Sequence, residues 1–122
     1  MTTPSNDPIV CIFRDTTTEL VRREGPDLTL RQLAIFLICY LNSGHHTVRG
    51  LAAELNISKP AVSRSLDRLG QLGLTSRLTD QQDRRSILVQ RTSRGGNFLR
   101  DLVKNLDHSI TLSEKRIARH VR

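Results

Sequence analysis

The sequence predicts a mainly α-helical fold with one small β-hairpin, and three observations carry that expectation. Apolar residues recur at helical spacing through most of the 122 residues. Between 47 and 72, two short helical patterns meet in a tight turn at Asn56. Directly after them, two short alternating segments flank the polar loop 80–85. Helix, tight turn, helix and hairpin, in that order, read as a winged helix-turn-helix. Further helices flank it on both sides, 7–26 at the N-terminal end and 97–122 at the C-terminal end, around a winged domain at 27–96.

Residues 1–6 are polar and are expected to be disordered. From Asp7 the pattern changes. Ile9, Ile12, Phe13, Leu20 and Val21 fall at helical spacing, Asp7 can cap, and Pro8 suits the first helical position. This helix is expected to end near Glu24, because Gly25-Pro26 stops a helix efficiently. Asp27 or Thr29 caps the next helix, which runs to about Asn42. Its middle, LAIFLICYL, is apolar nearly all round, as in a helix central to a core. Asn42, Ser43 and Gly44 close it, and His45 and His46 follow in a loop. Paired histidines suggest a metal, but no third ligand lies nearby in sequence. The reading is an exposed linker pair and no metal site.

Thr47 caps a short helix over 48–55. Ala52, Asn56 and Val62 stand at helix-turn-helix spacing. Ala52 is small enough to admit the second helix, Asn56 tolerates the left-handed backbone of the turn, and Val62 is the apolar contact back to the first helix. Ser58 is a good N-cap, and Pro60 in the first turn loses no hydrogen bond. The second helix runs from Lys59 to about Leu72, with Val62, Leu66, Leu69 and Leu72 as its buried stripe. Its other face offers Lys59, Ser63, Arg64 and Arg68, which donate to phosphates and base edges. With Ser58 and Pro60 at its start, these form the candidate recognition surface. Asp67 is placed to pair with Arg64 on that surface. Gly70 loosens the helix and Gly73 ends it.

Strands are expected at 74–79, with Leu74, Ser76 and Leu78 on one face, and at 86–91, with Ile87 and Val89 on one face. The loop between them is a hairpin wing. Two adjacent arginines at its tip, Arg84 and Arg85, repel each other unless an anion receives them, and a projecting arginine suits the narrow minor groove of DNA. Asp83 is placed to hold one guanidinium by a bidentate pair. After TSRGG the chain turns helical again. Phe98, Leu99, Leu102, Val103, Leu106, Ile110, Ile117 and Val121 mark an apolar seam along about 36 Å of helix. Thr111 to Ser113 are candidates to interrupt it. A seam this long needs a partner. A second copy of the same helices is the economical one, and an intrachain hairpin with the N-terminal helix is the alternative.

Composition narrows the partner. Net charge is +7, unevenly placed: residues 1–58 carry five basic and six acidic groups, while residues 59–122 carry fourteen and six. The basic half begins at the candidate recognition helix, so nucleic acid is the leading partner and an anionic membrane surface the competitor. Aromatics are limited to Phe13, Phe36, Tyr40 and Phe98, too few for the stacking platforms of a single-strand binder. Cys11 and Cys39 sit in apolar helical runs without metal-ligand spacing and read as buried hydrophobes in a reduced cytosol. MTTPSND has no basic n-region, and the longest apolar run, 33–41, is too short to span a bilayer. The expectation is a cytoplasmic, nucleoid-associated protein with no cofactor. No histidine falls in a nucleophile–base arrangement and no phosphate loop is present, so an enzyme is not expected.

Three segments together resemble the MarR family of winged-helix transcriptional regulators: LTLRQLAIFL, TVRGLAAELNISKPAVSRSLDRLGQLGL and DQQDRRSILVQRTSRGG. The last is similar to the family's Asp-x-Arg wing followed by a strand and a Thr-x-x-Gly turn, with Asp83 and Arg85 in the Asp and Arg places. The resemblance covers about 28–96. It implies a homodimer that binds double-stranded DNA, with recognition helices in successive major grooves and wing arginines in flanking minor grooves. It also implies a pseudo-palindromic operator. Many such regulators are repressors released by small phenolic ligands or oxidants, so a small-molecule effector is among the implied partners. Some relatives sense peroxides through an N-terminal-helix cysteine. Cys11 lies in a comparable region, with Arg14 the one candidate to stabilise its thiolate. The chain departs from the family in being short, in having one C-terminal helical segment where two are frequent, and in carrying Asn56 where Gly is common. Two other readings stay open: a DNA-binding accessory factor in replication or phage and plasmid biology, and a winged-helix protein-interaction adaptor.

Overall fold

The computed structural model describes residues 7–120. In chain order it contains α1 (Pro8–Arg22), α2 (Leu30–Leu41), β1 (His46–Thr47), α3 (Val48–Leu55), α4 (Lys59–Gln71), β2 (Thr75–Thr79), β3 (Ile87–Arg91) and α5 (Ser93–His120). Residues 1–6 and the seam position Val121 lie outside the described residues. Two compact units are present, one of residues 28–98 and one formed by the two ends of the chain, 1–27 and 99–122.

Local chemistry accounts for the helix starts. The Asp7 carboxylate accepts from the Ile9 N–H at 2.8 Å, with Pro8 in the first turn. Thr29, not Asp27, caps α2, in a reciprocal box with Gln32. Thr47 and Ser58 accept from the amides of Gly50 and Ala61, three residues on. Helix ends are equally specific. Asn56 takes φ 54° and ψ 46°, and the Ile57 N–H reaches back to the Ala52 carbonyl at 3.1 Å. Gly73, at φ +74°, closes α4 in the same way, with the Leu74 N–H on the Leu69 carbonyl at 2.9 Å. Both are left-handed caps of the Schellman type. One bends the chain from α3 into α4 and the other turns it into β2.

The core of unit 28–98 is built on α2. Ile35 and Phe36 are fully buried with Leu51, Val62, Leu66 and Leu69, each removing enough apolar surface from water to contribute ~1.5–3 kcal/mol. Phe36 stacks on Tyr40 at 4.3 Å and meets Phe98 edge-on at 5.1 Å. Leu72, expected in the buried stripe of α4, is only partly covered.

The sheet has one strand more than the expected hairpin. β1 pairs with β3, His46 opposite Val89, giving the antiparallel order β1-β3-β2. His46 is therefore a strand residue and not part of a loop. Two residues are too few to show an alternation in sequence, and the partners that define them, Val89 and Leu88, lie far along the chain.

α5 starts at Ser93, ahead of the expected Asn97, and runs without a break through Thr111, Leu112 and Ser113. The two glycines expected to form a turn are inside its first turns. The reason is a junction at the Tyr40 hydroxyl. It donates to the Leu74 carbonyl at 2.6 Å and accepts from the Thr92 N–H at 2.9 Å. The Thr92 hydroxyl in turn donates to the Gly73 carbonyl at 2.7 Å and accepts from the Gly95 N–H at 2.9 Å. A Cβ on Gly95 would overlap the Tyr40 hydroxyl and the Leu74 carbonyl oxygen, whereas one on Gly96 would meet nothing within 4 Å.

In the other unit, α1 and α5 meet through small polar groups. Thr16, Asn105, Ser109 and Ser113 are buried, with Leu102. The Asn105 amide donates to the Thr16 carbonyl at 3.1 Å. Asp15 accepts from Arg116 at 2.8 Å and from Arg14 at 3.1 Å. Burial works to raise the Asp15 carboxyl, but the two guanidinium groups prevail and hold it below the ordinary carboxylate value. The apolar residues of the expected seam mostly point elsewhere. Ile9, Val10, Phe13 and Val21 of α1 and Val103, Leu106, Ile110 and Ile117 of α5 are exposed.

A Gly-to-Ala change in an ordinary helix stabilises by up to about 1 kcal/mol. Gly96→Ala should follow that rule, while Gly95→Ala should lose about 1–3 kcal/mol by overpacking. Tyr40→Phe should also lose about 1–3 kcal/mol, since two buried backbone groups forfeit their partner. Urea midpoints of the three variants check this directly.

Candidate nucleic-acid interface

α4 has two faces with different chemistry. Ala61, Val62, Ser65, Leu66 and Leu69 are buried, and the residues between them at helical spacing form the outer face. Ser58, Lys59, Pro60, Arg64 and Arg68 are exposed there, and Ser63 is half-buried at the edge. None of the six sequence-derived positions of this helix belongs to its buried stripe. Two left-handed caps and a Ser N-cap fix where the helix begins and ends, so its N-terminal turn is presented rather than frayed.

The wing is the β2–β3 hairpin, in register Thr75–Arg91 through Thr79–Ile87. Its loop is shaped by two aspartates. Asp80 accepts from the Gln82 N–H at 3.0 Å. Asp83 accepts from the Arg85 N–H at 3.1 Å and from the Ser86 hydroxyl at 3.2 Å. These are side-chain turns of the Asx kind. The expected bidentate pair of Asp83 with a guanidinium is not formed. Two backbone-proximal donors are held at fixed short range, whereas a flexible arginine would lose side-chain entropy to reach the same carboxylate. Asp83 therefore sets the loop that carries Arg84 and Arg85, and both arginines are exposed.

Two further arginines tie these parts together, and neither stands out in the sequence. Arg77 of β2 donates through one nitrogen to the Asp67 carboxylate at 2.7 Å and to the Ser63 carbonyl at 2.8 Å. The expected Arg64–Asp67 surface pair is replaced by this one. The alternation of β2 places Arg77 on the face of Thr75, which is buried, and that alternation was the available signal. Arg91 closes the C-terminal end of α2, donating to the carbonyls of Cys39 at 2.9 Å and Asn42 at 3.3 Å, where the helix dipole favours a cation.

Residues 27–86 match the family model described as the MarR family. Over these residues the chain belongs to the MarR family. No curated protein matches the sequence. Solved structures place the MarR-family fold over nearly all of it. A point mutant of MepR from S. aureus is 20% identical with a TM-score of 0.73, over 98% of this chain and 85% of that one. The transcriptional regulator Tm0710 from Thermotoga maritima is 19% identical with a TM-score of 0.68, over 93% and 75%. MarR is 24% identical with a TM-score of 0.65, over 98% and 92%. At such identities the likeness is one of fold.

Other chemistry among the described residues is sparse. No group of three or more His, Cys, Asp or Glu stands together to hold a metal, and no helix is long and apolar enough to cross a membrane. Arg14, the candidate partner for a Cys11 thiolate, donates to Asp15. Burial pushes the Cys39 thiol up to about 11; Arg91 opposes the shift and Glu54 adds to it. Since the folded value lies above the ordinary 9.0, the associated stability is present below that pH and is lost as pH rises through the folded value. In a Cys11→Ser variant, a disulfide reagent at pH 8 should label Cys39 only as fast as the protein unfolds, because labelling needs the thiolate. Stopped absorbance traces with and without denaturant test this.

Proposed function

We propose that this MarR-family transcriptional regulator binds double-stranded DNA as a homodimeric repressor on a pseudo-palindromic operator. The observation that carries the reading is the outer face of α4, where Lys59, Arg64 and Arg68 are exposed together, with Arg84 and Arg85 exposed on the adjoining wing. Arg64 and Ser63 read base edges in the major groove. Lys59 and Arg68 position the helix on phosphates, and Ser58 and Pro60 set its first turn against the backbone. Arg85, with Arg84, enters the minor groove, and Asp83 holds the loop that aims them. Half-sites would lie about 34–36 Å apart.

The segments 7–26 and 97–122 serve dimerisation around the DNA-binding domain 27–96. What supports this is the polar character of the contact between α1 and α5. An intrachain hairpin leaves Phe13, Val21, Val103, Ile110 and Ile117 in water, and a second copy would cover them. The protein is read as cytoplasmic and nucleoid-associated, responding to a small-molecule effector. The bland competitor, a DNA-binding accessory factor, differs only in where the cognate site lies.

Fluorescence anisotropy on the duplex upstream of its own gene, against a scrambled duplex and across salt, tests the reading. Arg64→Ala should weaken the specific duplex selectively. Arg85→Ala should weaken it by about 1–3 kcal/mol, and unchanged affinity would remove the wing from the interface. Ile110→Asp should convert a dimer to a monomer in sedimentation velocity and reduce DNA affinity with it. A monomeric wild type would overturn the dimer.

A further inference from the structure

The recognition face contains one acid. Asp67 lies three residues after Arg64 and immediately before Arg68. On a helix an i, i+3 pair of opposite charge attracts weakly, so an unpaired Asp67 competes for the Arg64 guanidinium. The structure shows a different pairing. Arg77, from the neighbouring strand β2, donates to Asp67 at 2.7 Å and, through the same nitrogen, to the Ser63 carbonyl at 2.8 Å. Its side chain is the more covered of the two, 30% exposed against 61% for Asp67, and the strand that carries it packs on α4. The ordering entropy is therefore lower for Arg77 than for Arg64, and Arg77 wins the carboxylate.

We infer that Arg77 is a positioning residue for DNA recognition, which holds Asp67 away from Arg64 and so leaves the Arg64 guanidinium available to a base edge. The assignment rests on the DNA-binding reading above. The same two bonds grip α4 at Ser63 and Asp67, each directly before one of the two outer arginines. They also tie β2 to α4 beside both arginines. Neither role requires Arg77 to touch DNA.

The geometry makes a suppression test possible. The probe is the duplex that the wild-type protein selects from a random-sequence pool, with a scrambled duplex of equal length as reference. Arg77→Ala should lower specific affinity on the order of tenfold, the loss of one directed contact, with little change for the scrambled duplex. Arg77→Gln is uncharged and two atoms too short to hold Asp67, and should behave like Arg77→Ala even if the alanine variant is poorly folded. Asp67→Ala alone should keep specific affinity, since Arg64 then has no competitor. Asp67→Ala added to Arg77→Ala should recover most of what was lost, which no loss of mere folding stability would allow. A double variant as weak as Arg77→Ala, with a salt slope smaller by about one, would make Arg77 a phosphate contact and overturn the inference. So would unchanged affinity in Arg77→Ala, or a tenfold loss in Asp67→Ala. Failure of the wild type to select any duplex would instead overturn the DNA-binding reading beneath it.

Discussion

The winged unit depends on one buried hydroxyl. Tyr40 stands near the end of α2 and bonds at once to the residue that enters β2 and to the residue that leads into α5. Three segments distant in sequence meet at that oxygen, in a place where water is excluded and an unmade bond is expensive. The Thr92 hydroxyl extends the junction to Gly73 and Gly95, and the Thr-x-x-Gly element acquires its physical meaning there. Thr92 caps α5, and Gly95 is the one residue without a Cβ to strike the hydroxyl. Because Gly73 also ends α4, the same network fixes where the recognition helix stops and where the wing starts.

That fixed frame explains how a surface can be both charged and ordered. Arginine side chains carry large rotamer entropy, and a DNA-reading face is useful only if the backbone beneath it does not drift. Here the backbone is held by left-handed caps at Asn56 and Gly73, by the Arg91 contacts at the end of α2, and by Arg77 across Ser63 and Asp67. The acids of this region are assigned to structural work. Asp80 and Asp83 shape the wing loop, and Asp67 is neutralised by Arg77. The outer arginines keep their charge for a polyanion.

The paired chain ends follow a different rule. Small hydroxyl and amide groups allow α1 and α5 to approach closely; the Asn105 amide reaches across to the Thr16 carbonyl, and the Ser109 hydroxyl donates within α5 to the Asn105 carbonyl. The larger apolar side chains stay outside that contact. A helix pair arranged in this way is joined by polar contacts and incomplete in apolar burial, which is the condition that favours association with a second copy.

The sequence by itself determined the starts of α1, α3 and α4, the helix-turn-helix, the hairpin and the face of α4 that points outward. These are local properties: a cap lies three residues from its amide, a left-handed turn needs Asn or Gly, and a stripe of Val62, Leu66 and Leu69 has a helical period. Tertiary structure alone decided the rest. β1 exists only because β3 is beside it. Gly95 and Gly96 read locally as a turn, yet the Tyr40 junction draws them into α5. Local spacing assigns Asp67 to Arg64 and Asp83 to a guanidinium; a strand-held Arg77 and two nearer donors in the wing loop take those carboxylates instead. In each case the deciding partner is distant in sequence or fixed by a neighbouring element, and periodicity along one chain carries no record of it.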